Sequence, residues 1–130
     1  KPIGYYLKLA DNCLTKGIDE IHLQHQINRT EWQVINTISD KSAIAKNELI
    51  ELIKPFADKQ AVENVLLKFI LKKQIEAKNN MLTLSSKGKI LQKSCFDTQQ
   101  EFRKKAMNDI SESDYQITIS TLQKIITNIK

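Results

Sequence analysis

Apolar residues recur with a helical period along almost the whole chain. From Pro2 to Ile27, Tyr6, Leu9, Ala10, Cys13, Leu14, Ile18 and Ile21 share one side of a long first helix, and Pro2 is tolerated in its first turn. Asn28-Arg29-Thr30-Glu31 reads as a break and restart. Thr30 is the expected N-cap of a second helix to about Ser39, which carries Trp32, Val34, Ile35 and Ile38. The segment from Asp40 to Ala45 reads as a connector. Asn47 then caps a third helix with Leu49, Ile50, Leu52 and Ile53, stopped near Pro55. Asp58 caps a fourth, from Lys59 to about Lys73, with Val62, Val65, Leu66, Phe69 and Ile70 as its apolar stripe. Lys59, Gln60, Glu63, Asn64 and Lys68 lie on the opposite side. Leu67 and Leu71 interrupt that polar side, so either a neighbouring element covers them or the surface there is apolar.

The helical period fails in one stretch, KKQIEAKNNMLTLSSKGK, residues 72–89. Ile75-Glu76-Ala77 and Met81-Leu82-Thr83-Leu84 favour strand, and Lys78-Asn79-Asn80 supplies a turn, so a small hairpin is expected. Ser86 caps a long fifth helix to about Met107. Ser111-Glu112-Ser113-Asp114 opens the last helix, where Tyr115, Ile119, Leu122, Ile126 and Ile129 are spaced as a coiled-coil seam. Four helices, a two-stranded hairpin and two more helices imply a mainly α protein with a small β-hairpin wing. In a winged helix-turn-helix of this kind the third helix supports, the fourth enters a major groove and the hairpin reaches the adjacent backbone or minor groove.

Charge adds to this picture. Between Lys41 and Lys93 there are eleven lysines and five acids, whereas the rest of the chain has nine basic and ten acidic residues. All the excess positive charge therefore lies around the hairpin and the helices before it. It is either a solvated surface or an attraction to a polyanion, nucleic acid being the commonest. A length of 130 residues suits one domain, and 41% hydrophobic with 27% charged residues suits a folded one. No apolar run is long enough to span a bilayer, so no membrane association is expected, and the two cysteines, Cys13 and Cys95, suit a reducing cytoplasm. The three glycines are scattered, and no nucleophile–base pair or paired carboxylates can be placed, so neither an enzyme nor a cofactor is expected.

Three segments resemble one family. Thr30-Glu31-Trp32-Gln33-Val34-Ile35 is similar to the start of the second helix of MarR-type transcriptional regulators. Leu84-Ser85-Ser86-Lys87-Gly88 resembles that family's Leu-Thr-x-x-Gly element, where the wing returns to the long helix. Ile110 to Tyr115, with Leu122 to Ile129, resembles its C-terminal dimerisation helix. The wing has no arginine, and Lys73 stands where family members commonly place glycine. The resemblance spans nearly the whole chain, in order. It implies a winged helix-turn-helix at residues 30–93 and dimerisation helices at 1–29 and 94–130. It further implies a homodimer on a palindromic operator in double-stranded DNA, usually as a repressor released by a ligand or an oxidant. By position, Lys59, Gln60, Glu63 and Asn64 would face bases, and Lys46, Asn47 and Lys68 would contact phosphates. Lys78, Asn79 and Asn80 would form the wing tip.

Other candidates have competing readings. Cys13 is either a redox sensor or a small buried hydrophobe; Cys95, in mid-helix, is read the same way. His22 and His25 have a spacing that can hold a metal, but no third ligand is evident, so no metal site is expected. Together with Tyr5, Tyr6 and Trp32 they are candidates for a pocket that takes a small aromatic effector. The alternative is a purely structural set of aromatic and interface residues. Arg103-Lys104-Lys105 reads as a solvated helix face. The rival to DNA binding is a protein-interaction adaptor, built on the same dimer, that engages its partner through Leu67, Leu71 and the short wing.

Overall fold

The computed structural model describes residues 1–130 and contains six helices and three short strands. They are α1 (Ile3–Gln24), α2 (Arg29–Lys41), β1 (Ile44–Ala45), α3 (Lys46–Ile53), α4 (Lys59–Leu71), β2 (Ile75–Lys78), β3 (Met81–Leu84), α5 (Ser86–Ala106) and α6 (Glu112–Ile129). The strands form one antiparallel sheet in the order β1-β3-β2. The core is a single cluster. Val34, Ile35 and Ile38 of α2 meet Leu49 and Ile53 of α3, Val62, Leu66 and Phe69 of α4, and Ile75 and Leu82 of the sheet. Helix α2 is the hub and packs on α1, α3, α4, α5 and β3. Each fully buried aliphatic or aromatic side chain here stabilises by about 1.5–3 kcal/mol. No helix is long and apolar enough to cross a membrane.

Several boundaries differ from the sequence expectation, each for a local reason. Helix α2 is capped by Asn28, not Thr30. The Asn28 side chain accepts from Glu31 N, and Glu31 Oε1 accepts from Asn28 N, both at 2.8 Å, a reciprocal capping box. Asn47 does not cap α3. Ala45 holds that position without a side-chain bond, and the first helical N–H, at Lys46, donates to Asn80 O at 3.1 Å. That bond continues the β1–β3 ladder, which pairs Ile44 with Leu82 and Ala45 with Met81. The segment read as a connector therefore adds a third strand to the wing sheet. Ser85, not Ser86, caps α5, accepting from Gly88 N at 3.2 Å.

Helix α4 stops two residues early. Gln74 N donates to Phe69 O and Lys73 N to Ile70 O, the paired bonds of a Schellman ending. The motif puts Lys73 at φ 61°, a left-handed conformation that glycine takes without cost. Gly88 is needed for a different reason: a methyl group there would collide with the Gln74 carbonyl oxygen, so the wing base and α5 meet backbone to backbone. In the wing, Lys78 pairs with Met81, which leaves Asn79 and Asn80 as a two-residue loop. Their φ values of 52° and 64° make it a type I′ turn, which asparagine tolerates.

Candidate nucleic-acid interface

Helix α4 is fixed from both ends and from below. Asp58 Oδ1 accepts from Ala61 N at 2.8 Å at its start, and Val62, Val65, Leu66 and Phe69 bury one side. At about 3.6 residues per turn, Gln60, Asn64, Leu67 and Leu71 form the stripe directly opposite. All four are exposed. Gln60 Nε2 donates to Asn64 Oδ1 at 2.9 Å, so the two amides are linked along the surface. Leu67 is 59% and Leu71 74% exposed, so no neighbouring element covers them. The wing flanks α4, and a cleft of about 320 Å³ between them is lined by Glu63, Leu67, Ile70, Ala77, Asn79 and Lys46 among others.

Two of the charged candidates are paired within the chain. Lys68 Nζ binds Glu31 Oε2, and the Glu31 side chain is buried. One carboxylate thus caps α2 and also holds α4, so Lys68, the phosphate candidate, already has a partner within the chain. A lone buried carboxylate would be costly, so Lys68 acts as its counter-ion. Lys46 Nζ lies 3.0 Å from Glu63 Oε2, joining the start of α3 to α4. This hydrogen bond holds the Glu63 carboxyl below the usual carboxylate range. Glu63 therefore faces Lys46, and each is the other's counter-ion. Asn47 is exposed in the first turn of α3.

Lys54 and Lys93 are paired along their own helices or turns with Glu51 and Asp97, and six other lysines of this region are free. Lys59, Lys72, Lys73, Lys78, Lys87 and Lys89 are exposed, and none has a carboxylate within ion-pairing distance. They run from the start of α4, past its end, along the wing and onto the first turn of α5. Lys59, Gln60, Asn64, Lys78, Asn79 and Asn80 are each exposed, and Asn79 and Asn80 share the cleft between the wing and α4 with Glu63 and Leu67. Sequence reasoning missed the Lys68–Glu31 and Lys46–Glu63 pairs because their partners are 37 and 17 positions apart on separate helices.

The candidate effector residues do not share a pocket within the chain. Tyr5 and Tyr6 are exposed near the start of α1, with their rings edge to face at 5.3 Å. His22 lies sixteen residues further along the same helix, about 24 Å away. It is buried, with Trp32 at a ring-centroid distance of 6.1 Å. Gln99 Nε2 of α5 lies 3.1 Å from His22 Nε2, and His25 Nε2 lies 3.1 Å from Thr98 Oγ1. Both histidines therefore clamp α1 to α5, in keeping with the structural reading. Burial holds the His22 imidazole below the usual histidine range, although Asp19 pulls the other way.

Cys13 is exposed, which corrects its reading as a buried hydrophobe; Cys95 is buried, and burial pushes its thiol up. Cys13 lines an apolar groove of about 570 Å³ with Ala10, Leu14, Phe102, Met107 and Ile119, between α1, α5 and α6. Gly17 lets the Phe102 ring lie directly on α1 at its inner end. No residue of α6 is buried, and in α1 only Ile21 and His22 are.

No protein-family model matches the chain, and no curated protein matches it. Solved structures do resemble it. A MarR family protein of Mycobacterium tuberculosis in complex with DNA is 18% identical, with 96% of this chain and 98% of that one covered, at a TM-score of 0.75. A mutant of MarR from E. coli complexed with operator DNA is 16% identical, covering 95% and 93%, at 0.71. A mutant of MepR from S. aureus is 14% identical, covering 100% of both chains, at 0.82. Identities this low establish the architecture: the chain has the MarR-type winged helix fold over its whole length.

Proposed function

We propose that the protein is a DNA-binding transcriptional regulator that acts as a homodimer on a palindromic operator. The observation that carries this reading is the outward face of α4. It is unoccupied by any other part of the chain, flanked by the wing and edged by six lysines without carboxylate partners. A helix with that surround suits a major groove, and its lysines suit the phosphates on either side. Two of the structural neighbours were solved with DNA, which supports the same use of the fold here.

The pair forms through α1 and α6. Ile3, Tyr5, Tyr6, Leu7, Leu9 and Leu14 of α1, with Tyr115, Ile117, Ile126 and Ile129 of α6, are each at least 40% exposed in a single chain. So much apolar surface on two terminal helices matches an interface for a second copy. A two-fold pair presents two α4 helices to half-sites about one helical turn apart, and occupying the operator accounts for repression.

Titration of a labelled duplex against salt tests the reading. A dimer that neutralises about six phosphates loses affinity with a log–log slope near −5. Absence of binding to any duplex at low salt would contradict it. That result would favour a protein-interaction adaptor, for which the exposed Leu67, Ile70 and Leu71 are the supporting observation.

A further inference from the structure

We infer that the outward stripe of α4 selects an A·T-rich half-site, with Gln60 and Asn64 reading adenine and Leu67 packing on a thymine methyl group. The inference rests on the DNA-binding reading above and specifies which sequence that surface takes.

Three observations carry it. First, the stripe opposite the core contains two carboxamides and then two leucines, and no charged group. The Gln60–Asn64 hydrogen bond uses one donor and one acceptor, and leaves the linked pair with an outward carbonyl oxygen and an outward amide nitrogen. This holds whichever amide donates, because exchanging their roles leaves the same two kinds of group free. Adenine offers the complement in the major groove, an N6 donor beside an N7 acceptor, whereas guanine presents two acceptors there.

Second, the usual guanine reader is missing. The chain has only two arginines. Arg29, at the start of α2, is bound to Asp19 and Arg103, late in α5, to Gln100, so neither belongs to α4 or the wing. Lys59 lies about a quarter turn off the stripe, on the flank where a phosphate would run. Lys68 and Lys46 are held by Glu31 and Glu63. The outward stripe itself therefore carries no cation to bridge O6 and N7 of guanine.

Third, Leu67 is 59% exposed, at the rim of the cleft between α4 and the wing, so much of its apolar side chain faces outward. From Gln60 to Leu67 is about 10 Å along the helix, roughly three base-pair steps of duplex. Leu67 thus reaches bases next to those the amides reach. The thymine C5-methyl is the one apolar group in the major groove. The exposed leucines cover only about one turn of helix, far less than the roughly 800 Å² that a protein partner needs on each side, but enough to cover a methyl group.

Selection from a pool of random duplexes with the full-length chain tests this, followed by thymine-to-uracil exchange in the selected half-site. The selected sequence should place A·T pairs under α4. Uracil, which lacks only the methyl group, should weaken binding about fourfold at one position. Leu67→Ala should bind the thymine and uracil duplexes equally. Gln60→Ala and Asn64→Ala should each relax the adenine preference by about tenfold. All three positions are exposed, so the variants leave the core untouched. Enrichment of G·C pairs under α4, or uracil binding as well as thymine, overturns this inference and leaves DNA binding standing. Enrichment of no duplex at all overturns both.

Discussion

The winged middle of the chain and its two terminal helices solve the burial problem in opposite ways. Between Asn28 and Leu84 every element finds its apolar partner inside the same chain. Val34, Ile35, Ile38, Leu49 and Val62 have no measurable exposure. Even the buried carboxylate of Glu31 is provided for, by the Asn28 cap and by Lys68. The start of α1 and the length of α6 carry apolar residues of which none is fully buried. A folded unit that completes itself in the middle and leaves its ends unfinished implies a division of labour. The middle is free to present charge and amides outward, and in the proposed function the ends meet a second copy.

The sharpest break in that contrast comes from the core. Phe69, 1% exposed, is the largest fully buried side chain of the winged part. Phe69→Ala should cost about 3–5 kcal/mol and melt α4 and the wing together, measured by denaturant unfolding. At the ends, Ile126→Asp should leave that unfolding midpoint nearly unchanged at low protein concentration, since Ile126 is 57% exposed in a single chain and lies outside the core. Sedimentation should show its mass falling from twice the 15.0 kDa of one chain toward a single chain.

Smaller effects sharpen the picture. Gly88→Ala drives a methyl group into the Gln74 carbonyl and should cost about 1–3 kcal/mol, loosening the wing from α5. Protonation of His22 should matter at the join between the two regions. Its folded pKa lies below the unfolded value of about 6.5, so the unfolded chain binds more protons between the two. Its contribution is complete above about pH 6.5 and is lost as pH falls below that toward the folded pKa. The melting temperature should therefore drop on acidification through this window, and drop less in His22→Gln. The smallest effect is at Lys73. Lys73→Gly relieves its left-handed backbone and should raise stability by about 0.5–1 kcal/mol.

The period of apolar residues was enough to place all six helices, because each carries a continuous apolar stripe that short-range spacing reveals, and the hairpin is marked by the one stretch where that period fails. Capping was less legible. Thr30, Asn47 and Ser86 are plausible caps, but the chain uses Asn28, Ala45 and Ser85. In the second case the choice depends on a bond from Asn80 that only the folded sheet supplies. Strand β1 is two residues long and exists only because β3 lies beside it. The candidate interface was partly legible. The exposure of Gln60 and Asn64 follows from their position opposite Val62 and Val65, and that of Lys59 from its place as the first residue of the helix. The neutralisation of Lys68 by Glu31 and of Lys46 by Glu63 follows from contacts between helices, which no local pattern encodes. Tyr6 and His22, by contrast, lie on one helix, where their separation of sixteen positions already sets them about 24 Å apart.

Amide hydrogen exchange on the full chain, free and bound to a short duplex, tests both halves of the account at once. The account predicts that α1 and α6 are already protected in the free protein at concentrations where it is paired. Added duplex should slow exchange chiefly in residues 59–71 and 75–84. Terminal helices that exchange as freely as an unpartnered peptide, or a duplex that protects neither α4 nor the wing, would contradict it.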